Sequence, residues 1–147
     1  MRGGDTKKEL KKLTEMIKWK EKKFSELNIK EVYEIFKFRA EVFVVEQKIL
    51  YNDFDYKDYK AIHLSGYKEK KLMAYARLFD KGDYYKNNTG FGRVAVDEKE
   101  RGKNHGKELV KKCIEVCKKN FETKEIKISA QEYLEKFYLD LGFEFRG

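Results

Sequence analysis

GFGRVAVDEKERGKNHGKELVKKCIEVCKKNF, residues 90–121, changes its hydrophobic period once, and the fold follows from that change. Gly90–Val96 is a short apolar run ending at Asp97, which reads as a buried strand. Beyond it, Leu109, Val110, Cys113, Ile114, Cys117 and Phe121 recur at helical spacing. Between the two, EKERGKNHG (98–106) carries no period. A strand, a glycine-bearing turn and an amphipathic helix in that order put the turn at a helix N-terminus. There the first main-chain N–H groups lack intrahelical acceptors and lie at the positive end of the helix dipole. Gly102 and Gly106 let the backbone close around an anion, and Arg101, Lys103 and Lys107 add positive charge. The combination suits a pyrophosphate. On spacing alone, an ordinary tight turn with solvated lysines accounts for it equally well.

Other nucleotide and metal motifs fail here. A P-loop needs Ser or Thr after its Gly-Lys, but Glu108 follows Lys107, and only three residues separate Gly102 from Gly106. Gly90-x-Gly92-x-x-Ala95 imitates a dinucleotide fingerprint but falls inside a strand. Asp53-x-Asp55 lacks the glycine and terminal glutamate of a calcium loop, so that run reads as solvated or substrate-facing. No metal site is expected.

Working outward, residues 16–24 (MIKWKEKKF) read as a first strand with Met16, Trp19 and Phe24 partly buried. Asn28 can cap a helix reaching about residue 44, with Val32, Ile35, Phe36 and Phe43 as its apolar stripe. Strands at Ala61–Tyr67 and Lys71–Phe79 flank a charged turn, and residues 80–88 form a loop. After the central helix come a strand at Ile126–Ala130, a helix marked by Leu134, Phe137, Tyr138 and Leu141, and a strand starting at Phe143. The order β-α-β-β-β-α-β-α-β predicts a mixed sheet with helices on its faces. Residues 1–15 read as an N-terminal extension in which a Thr6–Glu9 capping box can start a helix. Residues 16–147 form one domain.

Composition narrows the class. Charged residues make up 41%, but aromatics at 15% recur at structured spacings, which a disordered chain lacks. The 34 basic residues exceed the 26 acidic ones, for a net charge of +8. That balance favours a polyanionic partner or serves solubility alone. Cys113 and Cys117, one helical turn apart on an apolar face, read as small buried hydrophobes in a reducing compartment. No apolar run has the length of a membrane span and no signal-peptide core is visible, so a cytoplasmic protein without membrane partners is expected.

Three segments together resemble the GNAT superfamily of N-acetyltransferases, and within it the ElaA-like branch. FRAEVFVVEQ (38–47), followed by Tyr51, Asp53 and Asp55, is similar to that branch's first-helix signature. GRVAV and RGKNHG (92–106) resemble the superfamily's strand and pyrophosphate loop. ISAQEYLEKFYLDLGF (128–143) is similar to its last motif. With His63 and Ala74–Arg77, the resemblance covers residues 16–147. Asn104 stands where the loop pattern has glycine, and Asn accepts a left-handed backbone better than most residues. Family members usually continue through a β-hairpin beyond Gly-Phe. That hairpin is therefore expected to be truncated here, leaving a sheet edge that a homodimer would cover.

The resemblance implies an α+β fold in α/β/α layers, with a mixed, mostly antiparallel central sheet and helices on both faces. It implies acetyl transfer from acetyl-CoA to a primary amine, on a small molecule or peptide, within a ternary complex that releases CoA. The cofactor-binding residues would be Val94, Ala95 and Val96 on the strand, Arg101, Gly102, Lys103, Asn104, His105, Gly106 and Lys107 in the loop, and Gln131 beyond it. A strand N–H would steady an oxyanion. Tyr138 matches the family's proton donor to the departing thiolate, and a phenol of pKa about 10 is protonated at neutral pH. It also falls on the buried stripe of its helix. His63 and Glu46 are the candidate bases, beside a water chain; a lone strand histidine and a Glu46–Arg39 ion pair have structural readings too. Asp53, Asp55 and Asp58 would either attract a cationic amine or lie solvated. The alternatives are an inactive relative that only binds CoA, an acyl-homoserine-lactone synthase, whose acyl-carrier-protein donor suits the loop less, and a basic nucleic-acid-binding module. Interleaved acidic and basic residues along the helices speak against nucleic acid.

Overall fold

The computed structural model describes residues 16–46, 53–123, 125–129 and 142–144. Strand β1 (Lys18–Lys23) leads through a one-turn helix to α1 (Ile29–Arg39). Asn28 Oδ1 accepts the Glu31 N–H at 2.7 Å and Glu31 Oε1 accepts the Asn28 N–H at 3.0 Å, a capping box that starts α1 where expected. The helix does not stop at Arg39: Ala40–Glu46 widens into π-helical turns. A hairpin of β2 (Ile62–Lys68) and β3 (Lys71–Phe79) follows, then β4 (Thr89–Val96), α2 (His105–Asn120) and β5 (Ile126–Lys127).

The strands lie in the order β1-β2-β3-β4-β5, antiparallel except for the parallel β4–β5 pair. Alternation along β3 sends residues to two layers. Ala74, Ala76 and Leu78 pack with Leu64 and Phe91 under Leu109, Val110, Cys113, Val116 and Cys117 of α2. On the other face, Tyr75 meets Ile35, Phe38 and Val42. The expected α/β/α layering is present.

Several local expectations change. Met16 is exposed. The buried residues of α1 are Glu31, Ile35, Phe38 and Arg39, continuing to Val42, so the buried face is rotated from the apolar set read off the sequence and contains two charged residues. Strand β5 ends at Lys127 instead of Ala130. Residues 1–15, Gln131, Tyr138 and the final helix lie outside the described residues. So does the chain after Glu144, where the truncated hairpin was expected. Both cysteines are buried and free, and burial pushes the Cys117 thiol up to about 12, which suits packing and not reactivity. Among the described residues, no His, Cys, Asp and Glu cluster could hold a metal, and no helix is long and apolar enough to cross a membrane.

Candidate active site

The loop before α2 forms as its residues require. Asp97 accepts the Lys99 N–H at 3.1 Å and starts a single turn at Glu98–Glu100. The chain then reverses through Gly102 at φ 82° and Asn104 at φ 64°, both left-handed. Asn104 thus occupies the conformation expected of it where glycine is the usual choice. It is the N-cap of α2, but its side chain makes no capping bond; only its carbonyl is engaged, taking the Glu108 N–H at 3.2 Å. The first N–H groups of a 16-residue helix therefore receive no side-chain cap and open outward. Arg101, Gly102, Lys103, Asn104 and Lys107 are exposed, while His105 and Gly106 are half-buried.

Glu100 organises the cations beside this opening. Its carboxylate lies 3.1 Å from Lys68, 3.3 Å from Lys103 and 3.8 Å from His105. The hydrogen bond from Lys68 is the main reason its carboxyl falls below the usual range. Arg101 Nε donates to the Val96 carbonyl at 3.0 Å, tying the loop to the end of β4.

Strand β4 is the second component. Among the described residues it pairs with β5 through Thr89↔Ile126 and Gly90↔Lys127. Gly90 permits the close approach, since a Cβ there would sit 2.5 Å from the Lys127 carbonyl oxygen and from the Tyr85 ring. From Phe91 onward, β4 has no ladder partner on its β5 side among the described residues. Val94 and Val96 are half-buried and Ala95 is 5% exposed in this stretch.

A bulge kinks β4 at the same level. Tyr75 pairs with Ala95 and Arg77 with Gly92, so Arg93 and Val94 together face Ala76. Arg93 adopts φ 51°, which costs a non-glycine residue about 1–2 kcal/mol.

Beneath the bulge lies an ion-pair network that sequence reading missed. Arg39, fully buried, donates from Nε to Asp53 at 2.8 Å, from Nη1 to Asp58 at 2.6 Å and from Nη2 to the Asp53 carbonyl at 2.9 Å. Arg77 bonds Asp55 at 2.7 Å and Asp58 at 3.1 Å, and Arg93 Nε bonds the other Asp53 oxygen at 2.6 Å. Burial alone would raise the Asp55 carboxyl, but the hydrogen bond and charge of Arg77 hold it at about 2. These aspartates were expected to be solvated or to draw in a cationic amine. They are instead committed to arginines, and Arg39 pairs with two of them; the Glu46 side chain lies outside the described part.

His63 had two readings, a candidate base and a structural strand histidine. The ring is 1% exposed, with Nδ1 2.6 Å from the Tyr75 hydroxyl and Nε2 2.9 Å from the Asp58 carbonyl. A carbonyl only accepts, so Nε2 carries the proton and Nδ1 takes the tyrosine O–H. Burial lowers its pKa, against the opposing hydrogen bond to Asp58. This environment fits a buried post joining β2 to the aspartate loop better than a base reaching a substrate. Glu46 closes the π-helical stretch as backbone, and its side chain lies outside the described part.

The model of an acetyltransferase (GNAT) domain matches residues 26–147. Protein ElaA of Escherichia coli is 37% identical over 130 residues, spanning 87% of this chain and 84% of its own. The crystal structure of Escherichia coli ElaA superposes with a TM-score of 0.81 at 35% identity, covering 90% of this chain and 95% of that one. An acyl-CoA N-acyltransferase from Pseudomonas aeruginosa gives a TM-score of 0.82 at 31% identity, over 87% and 88% of the two chains. By the family model over residues 26–147 and by its likeness to ElaA in sequence and in fold, the chain belongs to the GNAT acetyltransferases, in their ElaA-like branch.

Proposed function

We propose that the protein moves an acetyl group from acetyl-CoA to a primary amine within a ternary complex. The observation that carries this reading is the uncapped N-terminus of α2, reached through left-handed Gly102 and Asn104, near the end of β4, which from Phe91 onward has no ladder partner on its β5 side among the described residues. The residues present fit acetyl-CoA on both counts. Main-chain N–H groups from Gly102 to Lys107 would receive the diphosphate, with Arg101, Lys103 and Lys107 supplying charge. The edge at Val94, Ala95 and Val96, without a β5-side partner among the described residues, offers main-chain groups to the amide-bearing arm. When bound, acetyl-CoA supplies the activated thioester.

The chain's part is then positioning and proton control. Holding amine and thioester in one near-attack geometry removes much of the entropic barrier. An N–H of the kinked strand is available to developing negative charge on the carbonyl oxygen. Tyr138 is proposed as the proton donor to the departing sulfur, and Gln131 as a further cofactor contact. With His63 closed off, removal of the ammonium proton falls to Glu46 or to water.

The test is consumption of acetyl-CoA measured against a panel of amines. Tyr138→Phe should slow turnover at least tenfold while CoA affinity stays within twofold. Equal turnover would remove Tyr138 from the mechanism, and no turnover with any amine would remove the amine transfer. Glu46→Gln separates the two routes for the proton: a fall in kcat of tenfold or more assigns it to Glu46, and an unchanged kcat assigns it to water.

A further inference from the structure

The buried network does more than close the core, because one of its ends grips the bulge of β4. Arg93 is the left-handed residue of that bulge, at φ 51°. Its Nε is held at 2.6 Å by Asp53, a carboxylate only 4% exposed. Asp53 is itself held from the opposite side: its second oxygen takes Arg39 Nε at 2.8 Å, and its carbonyl takes Arg39 Nη2 at 2.9 Å. Arg39 is the last residue of α1 before the π-helical turns and has no exposure. The carboxylate therefore spans from the end of α1 to the kink in β4. The kink turns the main-chain groups of the residues that follow, Val94 to Val96.

We propose that Asp53 is a positioning residue for acyl transfer: by gripping Arg93 it holds the β4 bulge in its left-handed form and so aims the amides of Val94–Val96. This rests on the reading of β4 as the strand that holds the thioester. The left-handed position explains why a clamp is needed here. In a bulge of this form the residue is ordinarily glycine, which adopts a positive φ without strain and needs no anchor. With arginine there, an external tie keeps the backbone in place, and Asp53 supplies it.

The same logic gives the test. Glycine at this position should make the bulge independent of Asp53. Asp53→Asn alone is expected to lower kcat at least tenfold and to weaken CoA binding by a smaller factor, because the loop at 101–107 is untouched while the Val94–Val96 amides are misdirected. Placed in an Arg93→Gly background, Asp53→Asn should lower kcat less than threefold further. A purely structural Asp53 would cost the same factor in both backgrounds, and that result overturns the proposal.

A ligand-free readout runs beside it. Asp53→Asn should shift the Val94 and Ala95 amide resonances and speed their hydrogen exchange at least tenfold, and should do neither in the Arg93→Gly background. If Asp53→Asn fails to fold, Arg93→Ala and Arg93→Gly replace it, since both leave the Arg39–Asp53 pair intact. Alanine should speed amide exchange at Val94 and Ala95 and glycine should not; equal behaviour sinks the clamp. Absence of acetyl-CoA turnover by the unaltered protein would count against the functional reading alone, while the amide measurements still decide the role of Asp53.

Discussion

Removing Arg39 is the sharpest perturbation of the architecture that carries the site. Its guanidinium makes three hydrogen bonds of 2.6–2.9 Å to Asp53 and Asp58. Replacement by methionine keeps the length of the side chain and deletes the charge. Breaking a buried pair by removing one partner costs about 3–5 kcal/mol, since the abandoned carboxylates stay buried. Here Asp53 keeps Arg93 at 2.6 Å and Asp58 keeps Arg77 at 3.1 Å. The lower end of the range, about 3 kcal/mol, therefore applies. For a domain of this size that is a fall in Tm of roughly 6–12 °C. Urea unfolding followed by circular dichroism measures it, with Arg39→Lys as the control. Lysine retains charge but not the forked geometry, so its loss should be intermediate. A loss under about 1 kcal/mol for Arg39→Met would refute the reasoning, because it would mean the aspartates are hydrated and not held in the core.

Other expectations follow from single features. The β2–β3 turn places Glu69 at φ 50° and Lys70 at φ 66°, a pair of conformations suited to Asn-Gly. Glu69→Asn combined with Lys70→Gly should raise stability by about 1 kcal/mol in urea titration, and an unchanged midpoint would count against strain in that turn. His63 titrates lower in the folded protein than its unfolded value of about 6.5, so the unfolded chain takes the proton first. Its contribution is therefore complete above about pH 6.5 and is lost as the pH falls below that value. His63→Gln should flatten the dependence of the urea midpoint between about pH 5 and 6.5, and an unaltered slope would show that His63 is not its source. Asp55, held at about 2 against an unfolded value of about 3.9, gives a further loss as the pH drops from about 4 towards 2. At Gly102, φ is 82° and a Cβ would touch nothing within 4 Å, so Gly102→Val acts through backbone conformation alone. It should weaken CoA binding about tenfold or more, read by the shift in Tm with ligand, while a left-handed valine costs about 1–2 kcal/mol.

What could be read from residues alone divides along physical lines. The passage from β4 through the loop into α2 was visible because the period changes from a continuous apolar run to helical spacing, with glycines between. Left-handed Asn104 was visible too, since few side chains other than that of asparagine accept the position. Asn28 announced its helix, and Glu31 three residues on was a capping signal available in the same stretch. Arg39 was hidden, because periodicity counts arginine as a solvent marker. Its guanidinium carbon lies 5.2 and 5.9 Å from the ring centres of Phe36 and Tyr75, and its charge is met by aspartates 14 and 19 residues away. No local pattern encodes such a partner. For the same reason the three aspartates read as solvated or as an amine trap. The bulge at Arg93 was equally silent, as arginine is not the residue a left-handed position selects.

Isothermal titration of CoA into the folded chain, with circular dichroism confirming the fold in the same sample, puts the anion-binding helix start to its plainest trial. One molecule of CoA should bind per chain with measurable heat, and the heat should shrink as salt is raised and fall sharply in Gly102→Val. A folded chain that takes up no CoA would mean that the open N-terminus of α2 is only a turn between a strand and a helix.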